Sequence, residues 1–400
     1  MNHQQIFRIF SIFLIVIAGL FACAPEQNSS PESTAALHRD ALVWDCHNDL
    51  VYRVLYENLD IGNRLPAGHV DIPRLKEGGV DVQVVALYVE NFLYPDKCAW
   101  QAFAMIDAMK KAIEKNADSV ELARTGSDIE RIVHSGKIAM PLSIEGGHAI
   151  ENSLELLRKF HDLGISSMTL THGISHDWAD SSSDEPRWHG LNDFGREVIA
   201  EMNRLHMVID LSHVSDETFY DALEATVDPV VASHSCCRAL NPHSRNMSDD
   251  MLKALAQNGG VVGINFVVYH LSEEYNRARK ELRAVGQPFY ALVPEIEDVE
   301  LRIAVDHLNG GRDFPMEGLP TVENILDHID HAVHIAGVDH VGIGADMIAR
   351  MPSPVGMRGA HDYPALTAGL KRRGYSDGDI RKIMGENMLR VWKSVTDARP

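Results

Sequence analysis

Seven residues able to bind a metal or move a proton stand at the ends of short β-branched runs. They are His47 and Asp49 in "WDCHNDL", Glu145 in "IAMPLSIEG", His172 in "SSMTLTH", His213 in "MVIDLSH", His234 in "PVVASH" and Asp346 in "HVGIGAD". Imidazoles mixed with carboxylates, without a thiolate cluster, suit zinc or another borderline divalent ion. Four imidazoles and three carboxylates exceed what one tetrahedral ion needs, so two ions sharing a carboxylate is the economical arrangement. Glu145 is placed to bridge, because its run lies between those supplying the other ligands. Two ions about 3.5–4 Å apart hold a hydroxide between them, polarise a carbonyl and stabilise the oxyanion that follows, which is amide or ester hydrolysis. On a strand, His47 and Asp49 would project from one face; the plainer reading is a polar strand end entering a turn.

Other chemistries compete for the same residues. "ASHSCC" sets Ser233, Ser235, Cys236 and Cys237 beside a His, but no "GxSxG" elbow surrounds them, and a His adjacent in sequence rarely has the geometry to activate its neighbour. "GGHAI" and "GVVGINF" lack the "GxGxxG" fingerprint and no P-loop is present, so nucleotide binding is unsupported. With 37 Lys and Arg against 57 Asp and Glu, a formal charge of −20, the chain lacks the basic surface that nucleic acid or a polybasic membrane patch requires. A small-molecule partner fits better.

The elements that must position these residues alternate along the chain. Strands are expected over 41–47, 80–89, 138–146, 166–172, 207–213, 229–234, 260–266 and 340–346, with helical patterns between them such as "ENSLELLRKFHDLG" and "SDDMLKALAQNG" that carry Ser, Asn or Asp at their starts and Gly or Asn near their ends. Eight such units over 38–400 predict one α/β domain, a (β/α)8 TIM barrel whose strand C-termini meet at one mouth; a doubly wound open sheet is the alternative. A charged insertion after the seventh strand, Val267 to about Pro320, carries Tyr269, Tyr275 and Tyr290 and reads as a lid, a passive excursion or a dimer contact. Cys46 should face away from His47 and pack, and no disulfide is assigned among Cys46, Cys98, Cys236 and Cys237.

Ahead of this body, "FRIFSIFLIVIAGLFAC" is too short for a spanning helix, which needs about 20 residues. It reads as a lipoprotein signal over 1–22 with Cys23 as the lipidated residue, followed by a flexible Pro/Ser linker over 23–37; an uncleaved anchor is the alternative. Either way the body is expected outside the cytoplasm and tied to the membrane of a bacterial envelope, on its periplasmic side.

Taken together, "DCHNDL", "SIEGGHAIE", "LTHGISHDWADSS", "LSHVSDETF", "ASHSCCRAL", "SRNMSDDML", "GGVVGINF", "HVGIGAD" and "GENMLRVW" resemble the membrane (renal) dipeptidases, zinc peptidases whose barrel fold is of the metallo-dependent hydrolase type, through most of the chain after the linker. The resemblance implies that His47 and Asp49 bind one zinc, His213 and His234 the other, and that Glu145 bridges both. It implies that Asp346 holds the bridging water and handles its proton, that His172 contacts the developing oxyanion, and that Arg245 in "SRNM" pairs with the substrate's C-terminal carboxylate. Read alone, Arg245 is a surface loop residue. The implied substrates are dipeptides, including those with a C-terminal D-residue. One departure stands out: the family's "GxDFDG" is "GADMIAR" here, which keeps Asp346 and puts Ile348 at an acidic position. That change leaves open a hydrolase of another small amide or lactone. A non-catalytic metal- or peptide-binding lipoprotein is the third reading.

Overall fold

Parallel strands and the helices between them wrap into a barrel whose interior the β-branched runs fill. The computed structural model describes residues 31–65, 67–90, 97–285, 314–315, 317–348 and 351–397. Among these, ten strands pair in parallel: β1 (Trp44–Asp45), β2 (Val82–Gln83), β3 (Val85–Tyr88), β4 (Val120–Ala123), β5 (Ile138–Glu145), β6 (Ile165–Thr169), β7 (Val208–Asp210), β8 (Val231–Ser235), β9 (Val261–Ile264) and β10 (Val341–Ile343). The order β1-β2-β5-β6-β7-β8-β9-β10 follows the chain, with β3 and β4 also on β5. The ends of β1 and β10 meet through Cys46 N–H to Ile343 O (3.0 Å) and Asp346 N–H to His47 O (3.1 Å), which nearly closes the ring.

Two differences from the expected eight strands have local causes. The second strand breaks at Val84 into β2 and β3, which pair with successive halves of β5. Pro141 has no N–H to donate and sits where β5 passes from its β4 partner to β3 and β6. β4 is an extra strand, registered from Val120 opposite Ile138 to Ala123 opposite Pro141. At the other end of the chain, residues 31–37 belong to helix α1 (Pro31–Asp40), whose Leu37 and His38 are buried, and not to a flexible linker. Residues 1–30, including the expected signal and Cys23, lie outside the described residues. Among the described residues no helix is long and apolar enough to cross a membrane.

The outer helices begin on side-chain caps: Ser153 before α2 (Leu154–Asp162), Asn192 before α3 (Asp193–Arg204), Ser215 before α4 (Asp216–Ala225) and Ser248 before α5 (Asp249–Asn258). After β9 come α6 (Val268–Leu271) and α7 (Glu273–Val285), the described start of the insertion, and then α8 (Val322–Ala336). The last helix, α9 (Asn387–Thr396), sends Met388, Val391, Trp392 and Val395 against Trp44, Cys46, Val82, Val208, Val231 and Val261, with the Trp44 and Trp392 rings 5.3 Å apart. Each aliphatic side chain of this plug contributes about 1.5–3 kcal/mol by leaving water. It seals the end of the barrel away from the strand C-termini. Cys46, Cys98, Cys236 and Cys237 are buried and none is in a disulfide among the described residues, and Cys46 packs as expected.

Candidate metal centre

The seven residues converge at the C-terminal mouth, although few lie on strands. Glu145 is the last residue of β5 and His234 lies within β8; His172, His213 and Asp346 follow β6, β7 and β10 by three residues each. The strand argument for His47 and Asp49 fails in detail. β1 ends at Asp45, His47 is in the following loop, and Asp49 is the N-cap of the next helix, Leu50–Leu55. A turn brings the two together. Asp45 forms it: its buried Oδ1 accepts from His47 N–H (3.2 Å) and Ala345 N–H (2.8 Å), tying the loop to the end of β10.

Glu145 stands at the middle. Its Oε2 is 3.3 Å from His47 Nε2, while its Oε1 is 3.1 Å from His213 Nε2, 3.4 Å from His234 Nε2 and 3.8 Å from His172 Nε2. On the Oε2 side, His47 Nε2 is also 4.0 Å from Asp49 Oδ1 and 3.9 Å from Asp346 Oδ1. Ligand atoms of His47, Glu145 and His234, of Glu145, His172 and His213, and of His47, Asp49 and Asp346 each fall within 4.8 Å of one another.

These donors fit divalent cations. His47 Nε2 and Asp49 Oδ1 are buried without a hydrogen-bond partner, a costly state unless something else binds them. His213 Nε2 and His234 Nε2 point at each other across 2.8 Å. Burial would lower the His47 pKa, yet Glu145, Asp346 and Asp49 overcome it and raise it to about 10. The cluster therefore calls for positive charge. Burial lowers His172 to about 4, His234 to about 3 and His213 well below its usual range, so these imidazoles are neutral and have lone pairs to give. Burial resists ionisation of Glu145, but the four histidines, His47 foremost, hold it well below the usual carboxylate range. Burial lifts Asp346 to about 6, against the pull of His47.

Supporting residues set the orientation of these groups. Ser233 Oγ donates to Asp210 Oδ2 (2.6 Å) and accepts from His234 Nδ1–H (2.7 Å), which leaves His234 Nε2 as a lone pair facing the centre. Thr169 Oγ1 also donates to Asp210 Oδ2 (2.5 Å), and Ser212 N–H (3.0 Å) and Ser233 N–H (2.8 Å) donate to Oδ1. The hydroxyl proton of Ser233 is thus committed to a carboxylate, which removes it as a nucleophile, and burial pushes the Cys236 thiol up to about 12. The β8–β9 register shifts between Ala232 and Ser235, carrying Ser233 toward Gly263 and Gly344. A Cβ on Gly344 would lie 1.7 Å, and one on Gly263 2.2 Å, from Ser233 O. Asn265 Nδ2 donates to Asp346 Oδ2 (3.1 Å). His213 (φ 70°) and Asp346 (φ 52°) both occupy the left-handed region.

Arg245 is buried in the centre's wall rather than on the surface. Its Nη2 donates to His234 O (3.1 Å), its backbone N–H donates to His243 Nδ1 (3.1 Å), and its Nε has no protein acceptor. A cavity of about 380 Å³ opens here. Glu145, His172, Arg245 and Asp346 line it, together with Tyr52 and Tyr88, with Tyr269, His270 and Arg279 of the insertion, and with Ile348. Tyr275 instead packs with Val268 and Phe314, and Tyr290 lies outside the described residues. Asp45, Asp210, Ser233 and Asn265 were not singled out as supports by the sequence. The available signal was an Asp two or three residues before a site His in "DCH" and "DLSH".

A parallel barrel that gathers imidazoles and carboxylates at its strand C-termini defines a metal-dependent hydrolase. The profile of the membrane dipeptidase family (peptidase family M19) matches residues 32–400. The chain is 33% identical over 369 residues to dipeptidase tcpJ of Claviceps purpurea, covering 88% of this chain and 77% of that one. It is 32% identical over 390 residues to an uncharacterised dipeptidase of Schizosaccharomyces pombe, covering 92% and 84%. A crystal structure of a metallopeptidase from Rhodobacter sphaeroides, liganded with a phosphinate mimic of the dipeptide L-Ala-D-Ala, superposes with a TM-score of 0.72 at 25% identity, covering 89% of this chain and all of that one. The chain belongs to the membrane dipeptidase family. It is a metallopeptidase of the dipeptidase type.

Proposed function

We propose that the chain hydrolyses dipeptides at a centre of two zinc ions, His47 and Asp49 holding one, His213 and His234 the other, and Glu145 both. The observation that carries this reading is the division of Glu145, with one oxygen toward His47 and the other toward His213 and His234. When bound, the ions supply Lewis acidity that polarises the scissile carbonyl and acidifies the attacking water.

The chain's own groups do the rest. Arg245 receives the substrate's C-terminal carboxylate on its planar fork, which fixes the length of peptide admitted. His172, neutral through burial, offers an N–H to the carbonyl oxygen as it gains charge. Asp346, lifted to about 6, takes the proton of the water that adds to the carbonyl carbon and passes it to the amide nitrogen as the C–N bond breaks, releasing two amino acids. The Rhodobacter relative's ligand ends in a D-residue, which supports L-Xaa-D-Xaa dipeptides as substrates beside L-Xaa-L-Xaa. Ile348 gives the cavity an apolar wall where the resemblance leads one to expect an acid, so side-chain preferences there are this chain's own. We place the protein outside the cytoplasm of a bacterial cell, anchored through lipidated Cys23; loss of membrane-bound protein on Cys23→Ala tests this.

The test of the main reading is metal content and turnover of the full chain on L,L and L,D dipeptides, tripeptides and dipeptides blocked at either end. Two metal ions per chain and cleavage confined to free dipeptides are expected, with activity lost to a chelator and restored by zinc. A metal-loaded protein that turns over no dipeptide refutes it.

A further inference from the structure

His172 is the least enclosed imidazole of the centre. Its side chain is 25% exposed, against 11% or less for His47, His213 and His234. Among the described residues no hydrogen bond reaches its ring, and Glu145 Oε1, at 3.8 Å, lies beyond that range. A neutral imidazole carries one N–H, so rotation of the ring decides whether that donor meets the carbonyl oxygen. Ring contacts are what limit the rotation. The Tyr88 ring centre lies 4.1 Å from that of His172, with the planes at 40°, and the His213 ring centre lies 4.3 Å away, with the planes at 34°. His213 is itself a proposed metal ligand, which leaves Tyr88 as the contact that the scaffold supplies.

Tyr88 is fixed at both ends. It closes β3 directly opposite Glu145 of β5, and its backbone carbonyl accepts from the Tyr52 hydroxyl (2.9 Å). Its own hydroxyl donates to Glu90 Oε2 (2.8 Å). The Glu90 backbone N–H in turn donates to Oε1 of the fully buried Gln101 (2.8 Å), on the helix Cys98–Lys115. Burial, with Glu90 beside it, pushes the Tyr88 hydroxyl pKa well up, so its proton stays in that bond.

We propose that Tyr88 is a positioning residue whose ring holds the His172 imidazole in the orientation that presents its N–H to the developing oxyanion. This rests on the dipeptidase reading and on the role of His172 within it. Misplacing such a donor by about 1 Å costs up to about 100-fold in rate. The loss falls on kcat, because the charge that the donor meets develops only on the way to the transition state.

The test is a double-mutant cycle on the zinc-loaded full chain, with L-Ala-L-Ala as substrate. Tyr88→Leu should lower kcat by about 10- to 100-fold, with KM and zinc content close to those of the unaltered protein. Tyr88→Phe keeps the ring and should keep most of the activity. In a His172→Ala background, Tyr88→Leu should cost little more, since the group it positions is gone. Tyr88→Met, which fills the space without a ring face, carries the same test if the Leu variant does not fold. An equal loss from Tyr88→Leu with and without His172 overturns the proposal. So does a loss confined to KM, a fall in zinc content that accounts for the lost activity, or an unchanged kcat; each leaves the dipeptidase reading intact. An unaltered protein that turns over no dipeptide overturns both.

Discussion

Ser233→Ala isolates the relay behind one proposed metal ligand, His234. The hydroxyl it removes joins Asp210 to His234 at 2.6 and 2.7 Å. Asp210 keeps three other donors, from Thr169, Ser212 and the Ser233 backbone. The Nδ1–H of His234, fully buried, keeps none. Leaving one buried donor unpaired costs about 1–3 kcal/mol, and the ring can then carry its proton on Nε2, the atom that should face the metal. Loss of such support weakens metal binding by about 10- to 100-fold, or about 1.4–2.8 kcal/mol. The assay is a competition titration of the stripped protein with zinc against a chromophoric chelator, with thermal unfolding of the metal-free protein alongside. One of the two binding steps should weaken, because His234 serves one side of Glu145. Unchanged affinity at both steps in a folded protein, or equal weakening at both, would refute the relay.

Other consequences follow from the same geometry. Gly344→Ala sets a Cβ 1.7 Å from Ser233 O, so β8 or β10 must move; a stability loss of about 3 kcal/mol or more in urea is expected, with weaker zinc binding. Arg245→Ala should lower kcat/KM about 100-fold for free dipeptides and far less for C-terminal amides, while equal losses on both would remove its role. His328, on α8 and far from the metal centre in sequence, accepts from Cys237 N–H (3.0 Å) and donates to Leu271 O (3.1 Å), and burial lowers it to about 4. Its folded value lies below that of the unfolded chain, so its contribution is whole above about pH 6.5 and fades as pH falls toward 4. The stability difference between the unaltered protein and His328→Gln should shrink by about 3 kcal/mol over that window, and a constant difference would refute the linkage.

The barrel and its centre were legible because parallel strands buried on both faces read as apolar runs, and their ends carry the chemistry. What the sequence hid depends on partners distant in the chain. β4 is stabilised by pairing with β5, and the break at Val84 follows from β5 changing neighbours at Pro141. Arg245 reads as a loop residue until the fold sets it behind His234. His47 and Asp49 do come to one cluster, but not by strand alternation, since Asp45 bends the chain after only two residues of strand. Helix α1 carries the polar composition of a linker and is fixed by contacts far along the chain, His38 Nδ1 meeting Thr367 Oγ1 at 2.7 Å.

His213 and Asp346 sit where the backbone favours glycine or asparagine, at a cost of about 1–2 kcal/mol each. Robustness and chemistry therefore pull these two positions in opposite directions. A population of variants screened only for survival of heating should drift toward Gly or Asn at both and lose the proposed metal ligand and proton carrier early, so on the proposed mechanism a rise in melting temperature at either position is a warning of lost turnover.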